Sequence, residues 1–276
     1  MKEEIRKILE TCNTIEDLQR LSSDIVKEIL DKDSSKMLLS KNAFLGRSKE
    51  CRFEVFNLAQ GISCPELTNI CSKGCYQIMP EKILAAENRD SAVLIYRKMN
   101  LLKSLQNDFI DNMVSIIKGL RPKSNEKIIV RIHGSGDFYS QDYMRKWLEI
   151  SLRIKESGYG YTFVAYTKSM KKLKKVMENK GELDKIYMRV CKKTLEKYKI
   201  NDFNINLIGS IMDDTSDEAK RIMDEFILPK YIVTSNKKVV TDYCGCKTCV
   251  DCMKCYDFPM KDVYTILRKN KKRKHI

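Results

Sequence analysis

Apolar residues recur at helical spacing near the start of the chain. Ile5 and Leu9 belong to one group, and a second group begins at Leu18. Spacings of three and four residues place such side chains on one face of a helix. Thr14 precedes the second group and is a residue type that caps helix N-termini well. The pattern predicts a helical hairpin over residues 1–40.

The middle of the chain alternates between short apolar runs and helical segments. A strand is predicted at 53–58, followed by a long loop rich in Gly, Ser, Cys and Pro, and helical spacing returns over 81–119. Further on, the predicted order is strand 128–132, helix 140–156, strand 161–166, helix 169–179, strand 185–190, strand 205–211, helix 215–227 and strand 231–234. This alternation is typical of βαβ units with a parallel sheet, either a barrel or a doubly wound sheet.

Polar residues follow several of these predicted strands. In both kinds of parallel sheet, ligands bind at the carboxyl ends of the strands. The turn after strand 128–132 reads Gly-Ser-Gly-Asp, and its simpler interpretation is a tight turn in which Asp137 or Ser140 caps the next helix. The predicted ligand-binding residues are Gly134, Ser135, Gly136, Asp137, Lys168, Arg189 and Ser210.

Charge indicates a polyanionic partner. The 52 Lys and Arg residues against 37 Asp and Glu residues give a formal net charge of +15, which attracts DNA or RNA, although solvated lysine faces are common on ordinary helices. Residues 267–276 form a basic tail without a core pattern. The chain has neither a long apolar stretch nor a signal-peptide pattern, so we expect a cytoplasmic protein without membrane contact.

Eleven cysteines in clusters indicate thiolate ligation of metal, since disulfides are rare in a reducing compartment. The predicted metal ligands are Cys64, Cys71, Cys75, Cys246, Cys249, Cys252 and Cys255, with the role of Cys244 left open. Three thiols from one loop leave a coordination position open for a further ligand. The solitary Cys12, Cys51 and Cys191 are predicted to be small buried apolar residues.

Spacing within the second cysteine group favours iron over zinc. The group contains three successive C-x2-C steps, which are typical of [4Fe–4S] ligation. Zinc sites usually pair two such knuckles across a longer separation. One zinc ion shared between the two groups remains an alternative. With only two histidines in the chain, sites built from three histidines are excluded.

The segments CPELTNICSKGCY, RIHGSGDFYSQDYMRKWLEI and FVAYTKS, followed by the second cysteine group, resemble the phage and mobile-element proteins called gene product eighty-eight. The resemblance spans roughly residues 40–256 and implies an origin in a phage or similar element. It implies no particular reaction.

A more distant resemblance is to radical S-adenosylmethionine enzymes. In those enzymes a three-cysteine loop after the first strand holds a [4Fe–4S] cluster, and a glycine-rich turn after the second strand binds the methionine amino group. Here Cys64, Cys71 and Cys75 match the loop, with wider spacing than usual, and Gly134–Asp137 matches the turn, with Asp in place of Glu. The resemblance implies that S-adenosylmethionine is cleaved to a radical and that the second cysteine group holds an auxiliary cluster.

Together these observations predict an α/β fold, specifically a partial (β/α) barrel with mainly parallel strands. We expect a helical hairpin at 1–40, a radical-enzyme-like core at 41–240 and a cysteine-rich metal-binding segment with a basic tail at 241–276. The expected function is that of an iron–sulfur protein with one or two clusters, acting on nucleic acid or a nucleotide-derived substrate. The rival hypothesis is a zinc-stabilised nucleic-acid-binding protein without catalysis.

Overall fold

A computed structural model describes most of the chain. The described residues are 3–33, 39–41, 51–67, 90–123, 126–196, 200–211, 234–235, 238–239 and 266–267. Helices α1 to α8 are Glu3–Thr11, Ile15–Gln19, Ser23–Asp33, Asp90–Leu105, Phe109–Lys118, Gln141–Glu156, Met170–Glu178 and Lys180–Cys191. Strands β1 to β8 are Leu39–Lys41, Cys51–Phe56, Lys127–Ile132, Thr162–Thr167, Ile205–Ile211, Thr234–Ser235, Lys238–Val239 and Ile266–Leu267.

The main sheet is mixed but mostly parallel. Its six strands lie in the order β1-β2-β3-β4-β5-β8, with β1 antiparallel to β2 and the other five strands mutually parallel. Strands β2 to β5 therefore lie side by side in chain order. A doubly wound sheet reverses its strand order at a switch point, whereas a barrel does not. Over the described strands, the sheet is wound in one direction.

The helices after β2 pack against one face of this sheet. Alternate residues of β3, among them Val130 and Ile132, share a buried cluster with Trp147 and Leu148 of α6. Phe163 of β4 belongs to the same cluster. Right-handed crossovers between strands that follow in order place every connecting helix on the same side. The result is a layer of helices over one sheet face, with the core between them.

The opposite face of the sheet is also buried. Phe53, Ile129 and Val164 lie on alternate positions of their strands and have almost no exposed surface, yet they are outside the helix-side cluster. Burial on both faces is usual for parallel strands. It also explains why these strands appear in the sequence as continuous apolar runs.

Most predicted elements are confirmed, and Thr14 caps α2 in a capping box with Asp17. The strand predicted at 185–190 is wrong, because these residues belong to α8. Its buried residues Leu183, Ile186 and Tyr187 follow helical spacing. The segment predicted as a helical hairpin over residues 1–40 instead contains three helices, and its last two residues, Leu39 and Ser40, belong to β1. The helix predicted at 215–227 and the cysteine-rich segment lie outside the described residues.

Two further expectations concern the C-terminal part and the membrane. Leu267 was assigned to a basic tail, but it pairs with Ile211 as part of β8. Barrel closure is not seen in the described strands and stays a prediction. Among the helices that the structure describes, none is long and apolar enough to cross a membrane.

Candidate functional site

The turn between β3 and α6 lies at the carboxyl edge of the sheet. It begins at His133, whose φ of 63° is left-handed, and Gly136 within the turn has a φ of 80°. These two residues turn the chain sharply away from the strand direction. Ser140 then caps α6 by accepting a hydrogen bond from the Tyr143 amide at 3.1 Å. The capping role proposed for Ser140 is thus confirmed.

Asp137 joins the ends of β3 and β4. Its Oδ1 accepts hydrogen bonds from the Thr167 hydroxyl at 2.5 Å and from the Phe138 amide at 2.7 Å. Its Oδ2 accepts from the Lys168 amide at 2.8 Å. Burial raises the pKa of the carboxyl group, and these hydrogen bonds oppose the rise. Asp137 therefore organises the turn from within.

The loop that follows β2 docks onto the same turn. Leu58 donates its amide to the Ser135 carbonyl at 3.0 Å, and the Ser135 hydroxyl donates to the Leu58 carbonyl at 2.8 Å. The Asp137 amide donates to the Ser63 carbonyl at 3.1 Å. Ser63 immediately precedes Cys64, the first predicted metal ligand. The structure therefore brings the start of the cysteine loop against the Gly-Ser-Gly-Asp turn.

Both glycines of the turn are needed for this contact. A Cβ at Gly136 would lie 2.4 Å from Ser63 Oγ and 2.7 Å from Leu58 Cβ. At Gly134 it would lie 2.5 Å from Asn57 Oδ1. Separations this short are sterically forbidden, so the loop can approach only glycine.

Helix α4 holds the other side of the loop. The Asn100 side-chain amide donates to the Asn57 carbonyl at 3.0 Å, and Arg97 donates to Gln60 Oε1 at 2.7 Å. Both α4 residues are buried, although the helical spacing over 81–119 predicts only that they belong to a helix. The available signal was the run Arg-Lys-Met-Asn within an otherwise apolar stretch.

Of the predicted metal ligands, Cys64 alone lies among the residues that the structure describes. It is half-buried. The remaining predicted ligands, Cys71, Cys75, Cys246, Cys249, Cys252 and Cys255, lie outside the described residues, as does Cys244. Within the described part of the chain, no group of three potential ligands surrounds a metal position.

The solitary cysteines fit the predicted structural role in part. Cys12 is buried, whereas Cys51 and Cys191 are intermediate in exposure. Burial raises the thiol pKa of Cys12 and of Cys191, which disfavours the reactive thiolate. Cys51 is the first residue of β2. Cys64 follows the opposite, carboxyl end of the same strand, so the two cysteines are at different ends of β2.

The remaining predicted ligand-binding residues separate into two groups. Lys168 lies at the carboxyl edge, where its amide binds Asp137. The Ser210 backbone lies in β5, one residue past the partner of Thr167, and the Ser210 side chain is outside the described residues. Arg189, by contrast, belongs to α8 in the helix layer. There it forms an ion pair with Glu149 of α6 rather than lying beside the turn.

His133 supports the turn from the core. It is 3% exposed, and its Nε2 lies 2.9 Å from the Tyr143 hydroxyl. Its ring meets Phe138 edge-on, with 4.5 Å between centroids. Burial lowers the pKa of His133 to about 3, so the imidazole is neutral at physiological pH.

Comparison with known proteins assigns the chain to a family by its sequence. The sequence model of the Gene product 88 family matches residues 29–258. The chain belongs to this family. Two relatives are the Gene 88 proteins of Mycobacterium phages D29 and L5, with identities of 33% over 95 residues and 32% over 92 residues. These alignments cover 33% and 32% of this chain. They span 38% and 37% of the two phage proteins, so less than half of each relative is matched.

The Gene product 88 match includes everything that forms the site. Its range of 29–258 contains the Gly134–Asp137 turn and both cysteine groups, and it leaves out α1, α2 and the basic tail. No solved structure matches the chain. The names of these relatives of the Gene product 88 family state no activity.

Proposed function

We propose that this protein is an iron–sulfur enzyme of the radical S-adenosylmethionine type, on a partial (β/α) barrel. The observation that carries the proposal is the hydrogen bond from the Asp137 amide to the Ser63 carbonyl, beside Cys64. It joins the cysteine loop after the first parallel strand to the glycine-rich turn after the second. The one-directional order of β2 to β5 supports the same architecture.

The residues of this edge suit such a cofactor. Cys64 would supply a thiolate ligand from a loop whose start is held by the turn and by α4, and Cys71 and Cys75 follow it in the sequence. When bound, the group would supply one-electron chemistry on S-adenosylmethionine. The Gly134–Asp137 turn, which packs against the start of this loop, would place the ligand beside the cluster.

The second cysteine group would hold an auxiliary cluster with Cys246, Cys249, Cys252 and Cys255 as ligands. So many thiolate ligands require a reducing compartment, which we propose is the cytoplasm of a phage host. The net charge of +15 supports nucleic acid or a nucleotide-derived molecule as the substrate.

Anaerobic purification followed by iron, sulfide and zinc analysis tests the proposal. We expect a brown protein with about four or eight iron atoms per chain, as one or two cubane clusters would give. Cys71→Ala should then abolish S-adenosylmethionine binding, whereas Cys249→Ala should leave it detectable. Equal loss in both variants would refute the model of two separate clusters.

The second candidate function is a zinc-stabilised protein that binds nucleic acid without catalysis. The observation that favours it is again the charge of +15, which alone suffices for phosphate binding. This candidate predicts a colourless protein with stoichiometric zinc. Its affinity for DNA or RNA should fall steeply as salt concentration rises.

A further inference from the structure

The sheet face opposite the helix layer carries a charged residue near its carboxyl edge. Successive side chains of a strand point to opposite faces. Since Val130 and Ile132 face the helices, Arg131 lies on the other face together with Ile129. Ile129 is fully buried, and Arg131 retains intermediate exposure. The guanidinium therefore lies on a largely covered surface.

An aromatic ring holds this guanidinium in place. The Cζ atom of Arg131 lies 5.1 Å from the ring centroid of Tyr166. Arg131 pairs in register with Val164 of β4, so Tyr166 is two residues farther along the same face and nearer the carboxyl edge. Stacking on an aromatic face orients the guanidinium and leaves its donors available to a further partner.

Arg131 differs in its pairing from the arginines of the helix layer. Arg153 and Arg189 both bind the buried carboxylate of Glu149. Arg131 has no carboxylate within ion-pair distance among the residues that the structure describes, and its Nε is buried without a hydrogen-bond partner. A nearby anion would stabilise such a partly desolvated cation. The arrangement therefore favours an anionic ligand.

This charge lies beside the turn that holds the cysteine loop. Arg131 pairs in register with Val55 of β2. A Cβ at Gly134 would lie 2.7 Å from Val55 Cγ1, so the turn closes over that neighbouring side chain. Arg131 and the Gly-Ser-Gly-Asp turn thus belong to the same end of the same sheet face.

We propose that Arg131, stacked on Tyr166, binds the oxyanion of a small-molecule ligand, either a phosphate or a carboxylate group. The bidentate geometry of a guanidinium fits both groups. This inference goes beyond the proposed cluster chemistry, because it concerns the charge of the ligand. It holds whether the cysteines bind iron or zinc.

Side-chain NMR of the full chain, labelled with ¹⁵N-arginine and purified with its metal, tests the proposal. The Nε–Hε signal of Arg131 is identified by its absence in Arg131→Lys. The probes are inorganic phosphate and acetate, each compared with sodium chloride at equal ionic strength. We expect a saturable shift of this signal with at least one oxyanion. Phosphate alone would indicate a phosphate ligand, and a comparable response to acetate would indicate a carboxylate.

Two comparisons make the test specific. The signal of Arg121, an exposed residue before β3, serves as the control for general attraction to a positive protein. Tyr166→Leu should weaken oxyanion binding about tenfold through the lost cation–π contact, whereas Tyr166→Phe should stay within about twofold of the wild type. A shift no larger than that in chloride, or an equal shift at Arg121, would overturn the proposal. Unchanged affinity in Tyr166→Leu would also overturn it.

Discussion

Acidification should destabilise this protein through His133. The folded state keeps the ring neutral, because burial lowers its pKa from 6.5 to about 3. The unfolded state exposes the ring and takes up a proton near its ordinary pKa. A group with a lower pKa in the folded state contributes stability that is complete at high pH. That stability is lost as the pH falls below the pKa of the unfolded state.

The size of the effect follows from these two pKa values. At about pH 5, His133 is still neutral in the folded protein. In the unfolded chain, the same imidazole is almost fully protonated at this pH. The difference amounts to about 2 kcal/mol of unfolding free energy relative to about pH 7.5. Urea unfolding, followed by the fluorescence of the single and fully buried Trp147, measures this loss.

His133→Asn is the matched variant for this measurement. Asparagine tolerates the positive φ at this position and does not titrate. The other titratable groups, including Asp137 with its raised pKa, are common to both proteins and cancel in the comparison. The wild type should therefore lose about 2 kcal/mol more than the variant. The same pH dependence in both proteins would refute the reasoning.

Two further predictions concern packing and charge, and urea midpoints measure both. Gly136→Ala should cost about 1–3 kcal/mol more than Gly158→Ala, because both positions have a φ near 80° but only the Cβ at Gly136 would meet Ser63. Equal losses would mean that the loop moves aside freely. Glu149→Gln should cost about 1.5–3 kcal/mol, since it removes the charge of a buried carboxylate that accepts hydrogen bonds from two arginines. Glu182→Gln, in an exposed pair, should barely change the urea midpoint. A similar loss at both positions would contradict the importance of the buried Glu149 carboxylate.

The parallel strands β2 to β5 could be predicted because each has a local signal, whereas β1 and β8 were not predicted. The 128–132 and 205–211 runs are short, apolar and bounded by polar or turn residues, and they correspond closely to β3 and β5. The run at 185–190 has the same local composition, but its apolar residues also fit helical spacing when Leu183 is included. A short apolar run does not distinguish the two structures by itself. In the structure the run is part of α8, and packing against α6 buries one face of that helix.

The contacts that build the site had no such local signal. The Gly-Ser-Gly-Asp sequence predicts a tight turn after a strand, and the structure has one. The partners of that turn, Ser63 and Thr167, are far from it in the chain and ordinary in composition. Hydrogen bonds between distant segments depend on the strand order, which single-sequence patterns leave undetermined. The order β2-β3-β4 brings all three strand ends together.

The internal bonding of Asp137 bears on how a ligand is recognised at this edge. An ionised carboxylate has about four lone-pair positions, and protein donors take three of them in Asp137. The residue is also 5% exposed, so at most one position can meet a ligand. Arg131 is the opposite case, a guanidinium oriented by Tyr166 and without a carboxylate partner in the described part of the chain. A specific ligand contact at this edge is therefore expected from Arg131, while Asp137 maintains the neighbouring turn.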